Sequence, residues 1–467
     1  MSGFSTFNTA NTGLTAAQRA LDATSQNIVN ANTPGYSRQR VTLESVGMPV
    51  AASFHSGHDA TIAGVSVADV SRIRDAFLEG TRAATGARQS AINAQTDILT
   101  SAQQLLAEPG DTGLQGTLDS FYSSWQQLSL KPGDTAAGAV VIQRGLAVAG
   151  QLKSVSNGLA AEWTTARAGL EDLVSRTNQA SEDLAKLNQS IAEGQMSGKP
   201  VNELLDTRDT LVRQLADLVG GHASVDDQGR LSVNANGVTL VAGNHWDPVT
   251  LTGANDISTA ATDPPTLKVG LFTIPVESGT GAGLLATLRT DLPTLSAAVD
   301  TVATRMVTAV NSVYGSGFAP DGSTGTAFFS GTDAKSIGVV PTDGSQLAVA
   351  NAANSMDGTV ARQVGDLADD ATARATLGGL DGPSVGWRQL TTSLGVQVQS
   401  LKTAQSVQDA VVAAAESAVQ SDAGVNLDEE MTNMMLYQRS YQASARVITT
   451  ADELLDTLIN RTGKVGL

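Results

Sequence analysis

FNTANTGLTAAQRALDATSQNIVNANTPGY, residues 7–36, carries a large apolar side chain at every seventh position. These side chains are Phe7, Leu14, Leu21 and Ile28. A sustained seven-residue repeat is typical of a coiled-coil seam, and such a seam needs a partner helix. The segment therefore predicts a long N-terminal helix that packs lengthwise against another element.

A matching repeat lies at the other end of the chain. It consists of Leu427, Met434, Tyr441, Ile448 and Leu455. Several seam positions of the two segments are small or polar, among them Ala17, Gln438 and Asp452, so either helix alone would bury little apolar area. We expect the helices to become ordered by pairing with each other and with copies from neighbouring molecules. Periodicity alone leaves an alternative, in which both stripes simply cover a globular core.

The first helix is predicted to end in the polar segment 30–36, NANTPGY. Proline disfavours the helical conformation at Thr33, and Pro34-Gly35 suits the two central positions of a type II turn. The chain should therefore leave the helix in a defined direction. The candidate residues of this turn motif are Asn30, Asn32, Pro34, Gly35 and Tyr36.

The rest of the chain alternates between helical and extended patterns, which predicts a mainly α fold with inserted β structure. Residues 41–70 favour extended structure, 71–219 helices, 222–277 short strands, 283–313 a helix, 314–383 an irregular Gly-rich stretch, and the remainder helices. We therefore predict three domains. They are a terminal coiled-coil domain (1–45 plus 425–467), a helical-bundle domain (46–220 plus 283–424) and a small outer β domain inserted in it (221–282).

The composition excludes several classes of function. With 46 acidic and 29 basic residues, the net charge of -17 repels nucleic-acid phosphates and anionic lipid, so neither is an expected partner. The chain has no cysteine for disulfides or thiolate metal sites. Its first eighteen residues carry no charge and no continuous apolar run, so a conventional secretory signal is not expected.

Candidate chemical sites are few. His55, His58 and Asp59 have metal-ligand types, but they lack a second cluster nearby in sequence, so a surface loop is the better interpretation. Carboxylates are abundant enough for a glycosidase pair, yet no glutamate lies in an aromatic setting that would raise its pKa. We predict no catalytic residue, no metal and no cofactor.

Three segments resemble bacterial flagellar axial proteins. Residues 27–39, NIVNANTPGYSRQ, resemble their N-terminal motif, and the ending TPGYSRQ is similar to the hook-associated members that form the hook–filament junction. Residues 426–458 are similar to the family's C-terminus. The segment 204–209, LLDTRD, resembles the family's LLDQRD and departs from it at Thr207.

The resemblance implies a structural, non-enzymatic subunit of the hook–filament junction. Such proteins form a ring of their own copies, with terminal helices paired in an inner coiled-coil layer and the β domain facing outward. The resemblance further implies type III export, an extracellular flagellar location, and three other partners: the hook protein, the second junction protein and a flagellar export chaperone. The residues of the two stripes would carry the assembly interface. Another axial subunit, from the hook or rod, is the nearest alternative, and a secreted cell-wall hydrolase is a more distant one.

Overall fold

The computed structural model describes residues 3–46, 64–108, 110, 113–225 and 230–457. The candidates His55, His58 and Asp59 lie outside the described residues. Within these ranges the helices are α1 (Gly3–Val29), α2 (Ala76–Leu106), α3 (Leu114–Leu130), α4 (Thr135–Met196), α5 (Asn202–Val219), α6 (Thr280–Ala286), α7 (Leu292–Tyr314), α8 (Thr359–Asp366), α9 (Asp370–Thr376), α10 (Pro383–Ala423) and α11 (Leu427–Asp456).

The strands are short and form antiparallel sheets. They are β1 (Gln39–Val46), β2 (Gly64–Arg72), β3 (His222–Val225), β4 (Leu231–Ala235), β5 (Val238–Ala242), β6 (His245–Trp246), β7 (Val249–Thr252), β8 (Thr266–Val269), β9 (Phe272–Thr273), β10 (Phe329–Ser330) and β11 (Gly338–Val339). Strands β3–β6 make one sheet, β7–β9 a second, and β1–β2 and β10–β11 two hairpins. The prediction of a mainly α fold with inserted β structure is confirmed.

Helices end at helix-breaking residues and begin at capping residues of the sequence. Helix α2 ends before the Pro-Gly break at 108–111, and α3 ends before the similar break at 131–134. Asp134 then starts α4, because its carboxylate accepts hydrogen bonds from the backbone N–H groups of Ala136 and Ala137. The resulting helix is 62 residues long and forms the spine of the molecule.

The two ends of the chain form one unit, in which α1 packs antiparallel against α11. Gly13 lies against Ser444, where an added Cβ would come within 3.1 Å of the serine Oγ, and Asn27 lies beside Glu430. The β1–β2 hairpin covers another side of α1, with Thr12 next to Gly64. We call α1, β1, β2 and α11 the terminal unit.

The hairpin changes the predicted division of the chain. The predicted boundary between residues 45 and 46 falls inside β1, and it places β2 in the helical-bundle domain. Strand β2 pairs with β1 from Gln39↔Arg72 to Val46↔Gly64 and packs on α1. Because antiparallel pairing ties both strands to the same helix, the first part of the terminal unit extends to Arg72.

Helices α2–α10 form the helical domain, whose core contains an aromatic cluster. Phe121 and Trp125 of α3, Tyr314 of α7, and Phe328 and Phe329 are buried, with neighbouring ring centroids 4.8–6.3 Å apart. Phe328 and Phe329 come from the Gly-rich stretch predicted to be irregular. That stretch thus supplies the centre of the core, although it holds little regular secondary structure.

The β strands between α5 and α6 lie on the side of α4. Asn178 of α4 binds both backbone groups of Val249, and Asn188 donates a hydrogen bond to the carbonyl of Gly243. We call β3–β9 the β module. Its contacts place it along α4.

Candidate assembly site at the chain termini

Asn27, near the end of α1, is the centre of a buried hydrogen-bond network. Its amide nitrogen donates to the carbonyl of Gln39 at 2.9 Å and to a carboxylate oxygen of Glu430 at 3.1 Å. Its amide oxygen accepts from the Gln39 N–H and from the Tyr36 hydroxyl, both at 2.8 Å. All four hydrogen-bonding positions of the side chain are therefore used. This single residue ties α1 to the turn, the first strand and the C-terminal helix.

Glu430 of α11 is a buried carboxylate held by an arginine. The Arg38 guanidinium donates from Nε at 2.8 Å and lies 2.7 Å from the same oxygen through a second nitrogen. That second nitrogen is also 3.1 Å from Glu429, which is exposed. Since a buried carboxylate is stable only when it is paired and hydrogen-bonded, Arg38 and Asn27 together make the position of Glu430 possible.

The turn that follows α1 has the predicted type II geometry. Gly35 has a φ of 86°, and the Tyr36 N–H donates to the carbonyl of Thr33 at 3.2 Å. An added Cβ at Gly35 would come within 2.8 Å of the hydroxyl of Thr210 in α5. Glycine is thus required twice, for its backbone conformation and for the close approach of α5.

The other turn-motif residues have different environments. Asn30 accepts a hydrogen bond from the Thr33 hydroxyl at 3.2 Å, whereas Asn32 and Pro34 are exposed. Tyr36 is half-buried, and burial followed by the charges of Asp206 and Glu430 raises its pKa to about 12. Its phenol therefore stays protonated and remains a donor to Asn27 at neutral pH.

A second polar network connects the terminal unit to α5. One guanidinium nitrogen of Arg72 lies 2.8 Å from both Asp206 and Asp209, and Arg74 also binds Asp209. The backbone N–H of Ser37 donates to Asp206 at 3.3 Å. We call these five residues the joint. It uses the two aspartates of the LLDTRD segment.

Asp209 of the joint is held in its charged form. Burial alone would raise the pKa of Asp209, but the hydrogen bond and charge of Arg74, together with the charge of Arg72, hold it below its usual value. Asn202 at the start of α5 adds a neutral contact, donating to the Val70 carbonyl at 2.8 Å. The two polar networks therefore bring together the three segments that resemble one family, which lie near residues 27–39, 204–209 and 430.

The predicted stripes lie at the edge of the α1–α11 contact. Phe7, Leu427 and Tyr441 are 37–45% exposed. The other six stripe residues are partly buried: Leu14, Leu21, Ile28, Met434, Ile448 and Leu455. The fully buried positions of α1 are small or polar: Ala10, Ala16, Ala17, Ala20, Ala23, Thr24 and Asn27. Small side chains let α1 sit closely between α11 and the hairpin, while the large ones remain partly accessible.

Helix α11 exposes large apolar residues on both sides of the stripe, of which Met435, Leu436, Val447 and Leu454 were not in the seven-residue count. One row, the first flank, is Leu427, Met431 and Met435, which are four residues apart. A second row, the second flank, is Leu436, Val447 and Leu454. The side chains of both flanks are 44–62% exposed. At about 100° per residue the flanks lie roughly 150° apart around the helix. A count of all apolar positions around the helix would have identified them.

Other kinds of site find no support in the described residues. No group of three His, Cys, Asp or Glu residues there could hold a metal ion. None of the described helices combines the length and hydropathy needed to cross a membrane. The features that call for an explanation are therefore the two polar networks and the exposed flanks of α11.

Comparison with known proteins gives three family matches along the chain. Residues 99–329 match the helical domain of the flagellar hook-associated protein FlgK. Residues 7–36 match the flagella basal body rod protein family, and residues 417–461 match the C-terminal family of the basal body rod FlgEFG proteins. The rod matches cover most of α1 and α11, the paired helices of the terminal unit.

Full-length relatives give the same result. Flagellar hook-associated protein 1 of Bacillus subtilis is 28% identical over 509 residues, covering 100% of this chain and 99% of the relative. The protein of that name from Salmonella typhimurium is 26% identical, covering 98% and 99%. A structure of the flagellar hook junction protein FlgK from Burkholderia pseudomallei matches with a TM-score of 0.63 and 13% identity, covering 74% of this chain and 99% of that one. At that identity the structural match supports the fold alone.

Proposed function

Because the chain belongs to the family of flagellar hook-associated protein 1, a structural component of the flagellar axis at the hook–filament junction, we propose that it assembles there through its terminal unit. The interface would combine the two apolar stripes with the two flanks of α11. The stripe residues are Phe7, Leu14, Leu21, Ile28, Leu427, Met434, Tyr441, Ile448 and Leu455. Turn residues 30–36 would hold the unit in shape for this role.

The observation that carries the proposal is the exposure of both flanks of α11. A helix that served only to cover α1 would need one apolar face, yet α11 has three apolar rows. An exposed apolar surface such as the first flank, whose members are four residues apart, marks an interaction site. The flanks lie on a helix already fixed by Asn27 and Glu430, so a neighbour would meet a preformed surface.

The arrangement of the flanks suits a ring. Two different surfaces on opposite sides of one helix allow each copy to contact one neighbour with its first flank and the next neighbour with its second. Such head-to-tail contacts close into rings when the rotation between copies is right. We propose that copies of this chain are the first partners, with the hook protein below and the second junction protein above.

The same flanks need protection before assembly. We propose that a flagellar export chaperone covers α11 inside the cell, because Met431, Met435 and Leu436 are over half exposed in the monomer. The chain would then leave by type III export and act outside the cell. The β module, which packs along α4, would face outward from the axis.

A structural role also accounts for the buried charges. In the described part of the chain the buried carboxylates are Asp206 and Glu430. Each is bound to an arginine, Arg72 or Arg38. These pairs hold neighbouring elements together, which is a structural role. We propose that the chain is not an enzyme, which disfavours the cell-wall hydrolase.

Deletion of the gene tests the proposal. Electron micrographs of the deletion strain should show hooks without filaments, and expression of the wild-type chain should restore the filaments. Immunogold labelling of the restored chain should give a single spot at the boundary of hook and filament. Label spread along the hook or confined to the rod would instead support another axial subunit. Normal filaments without the gene would refute the proposal.

A further inference from the structure

We infer that Asp206 and Asp209 are positioning residues that set the angle between the terminal unit and the helical domain. The inference goes beyond assembly, because it concerns the shape of a single chain. It rests on how little else connects the two parts of the molecule.

Apart from the joint, the terminal unit meets the helical domain through single contacts, such as the hydrogen bond from Asn202 to the Val70 carbonyl and the close approach of Gly35 to Thr210. Among the described residues, no helix of the terminal unit packs lengthwise on a helix of the helical domain. The covalent connections are two short segments, 73–75 before α2 and 424–426 before α11. Domains that meet over a small polar surface move relative to each other by default, so the joint must supply the restraint.

The joint has the right charges and burial to act as that restraint. Arg72 lies between both aspartates, and Arg74 adds a second cation on Asp209. The side chains of Arg72, Asp206 and Asp209 are only 10–12% exposed. Salt therefore screens these ion pairs weakly, and removal of one partner would leave buried charges unpaired.

Space for movement lies directly beside the joint. A cleft of about 930 Å³ separates the turn 31–38 from the end of α10 and the linker 424–426. Charged side chains line it from the helical domain, including Arg82, Arg213 and Glu416. The terminal unit could therefore tilt toward α10 if the joint were released, without having to displace a packed core.

Distance measurements on the monomer test the inference. The chain has no native cysteine, so spin labels can be placed at Asn32→Cys and Gln420→Cys, two exposed positions on either side of the cleft. The wild-type background should give a narrow distance distribution. The double variant Asp206→Asn with Asp209→Asn should broaden this distance distribution roughly twofold, because the small interface no longer restrains the two units. The same width in both backgrounds would overturn the inference.

Matched controls separate positioning from general damage. Asp172→Asn removes an exposed carboxylate paired with Arg176 at 3.9 Å on α4, and it should leave the width unchanged. A label pair at Asn157→Cys and Ser400→Cys, inside the helical domain, should report the same distance in every variant. Broadening at that second pair would mean that the helical domain itself has loosened, which contradicts a positioning role.

A milder variant covers the case in which the double variant fails to fold. Arg74→Gln removes one of the cations on Asp209 and leaves the Arg72 pairs in place. It should broaden the distribution by less than the double variant does, and no broadening would count against the inference. The distance measurement uses the monomer and needs no assembly, so unchanged distance distributions would not affect the proposed function. Conversely, failure of the chain to assemble in flagella would not affect this inference.

Discussion

The helical domain and the terminal unit differ in the interactions that hold their helices together. In the helical domain, Phe121, Trp125 and Phe328 are completely buried in a cluster of crossing rings. In the terminal unit, α1 buries alanines, and a buried hydrogen bond between Asn27 and Glu430 links α1 to α11. The first region buries its largest aromatic side chains. The second keeps large apolar side chains of both terminal helices partly or largely exposed.

The difference follows from the area that each region removes from water. Burial contributes about 25 cal/mol per Å² of apolar surface, so aromatic side chains contribute far more than alanines. A helix pair lined by alanine is therefore marginal alone, however well its polar groups are paired. We expect the helical domain to stay folded under conditions in which the terminal unit opens.

The largest effect is expected from removal of residues 425–467, which separates the helical domain from half of the terminal unit. The helical domain should keep its near-ultraviolet circular dichroism, since its aromatic core lies elsewhere. Incorporation into flagella should be lost completely, because α11 and both of its flanks are gone. Purified flagella probed with an antibody provide the measurement. Normal incorporation of the truncated chain would contradict the assembly role of α11.

Phe328→Ala tests the helical domain. The side chain packs on four other rings, so its truncation should lower the free energy of unfolding of this domain by about 3–5 kcal/mol. Phe7→Ala is the matched change in the terminal unit, where the ring is 40% exposed, and its cost should be about 1 kcal/mol. Chemical denaturation followed by near-ultraviolet circular dichroism measures both. Equal costs would mean that the two regions are packed alike.

Glu430→Ala tests the polar contact of the terminal unit. It leaves Arg38 without its buried partner and removes an acceptor from Asn27, so local opening of α11 should become easier by about 3 kcal/mol. Glu429→Ala is the control, since its exposed pair with Arg38 should contribute only about 0–1 kcal/mol. Amide hydrogen exchange of α11 measures the difference. Equal exchange in the two variants would rule out the network as the source of stability.

Alkaline pH should produce the smallest effect, confined to the terminal unit. The folded-state pKa of Tyr36, about 12, lies above its ordinary value of 10.0. The stability linked to this proton is complete below pH 10 and is lost as the pH rises toward 12. Amide exchange of α1 should therefore speed up over this interval in the wild type. The acceleration should be smaller in Tyr36→Phe, and the same acceleration in both would exclude Tyr36 as its cause.

Much of the fold could be predicted from local signals. Pro34-Gly35 predicted the type II turn, because the geometry of a turn depends on nearby residues. The seven-residue stripes predicted the two terminal helices. The buried positions of α1 include Ala17, which the repeat placed at the seam. They also include Ala16, Ala20 and Ala23, since α1 packs on the β1–β2 hairpin as well as on α11.

Long-range pairing could not be predicted in this way. Asn27 and Glu430 are separated by 403 positions, and Ser37 and Asp206 by 169. Periodicity says nothing about which distant polar groups meet. Phe328 and Phe329 were missed for a related reason, because a stretch without periodicity can still insert two rings into a core. The sequence therefore predicts elements better than it predicts the contacts that hold them together.

The central claim is that the exposed flanks of α11 join one copy to the next. The most direct measurement compares how well two double variants are incorporated into the hook–filament junction. The flank variant combines Met431→Lys and Met435→Lys on the first flank. The β-module variant combines Leu271→Lys and Phe272→Lys, which replace exposed apolar residues of the β module. Immunogold counts at hook tips should fall to background for the flank variant and stay at wild-type levels for the β-module variant. Equal counts for the two variants would contradict the claim.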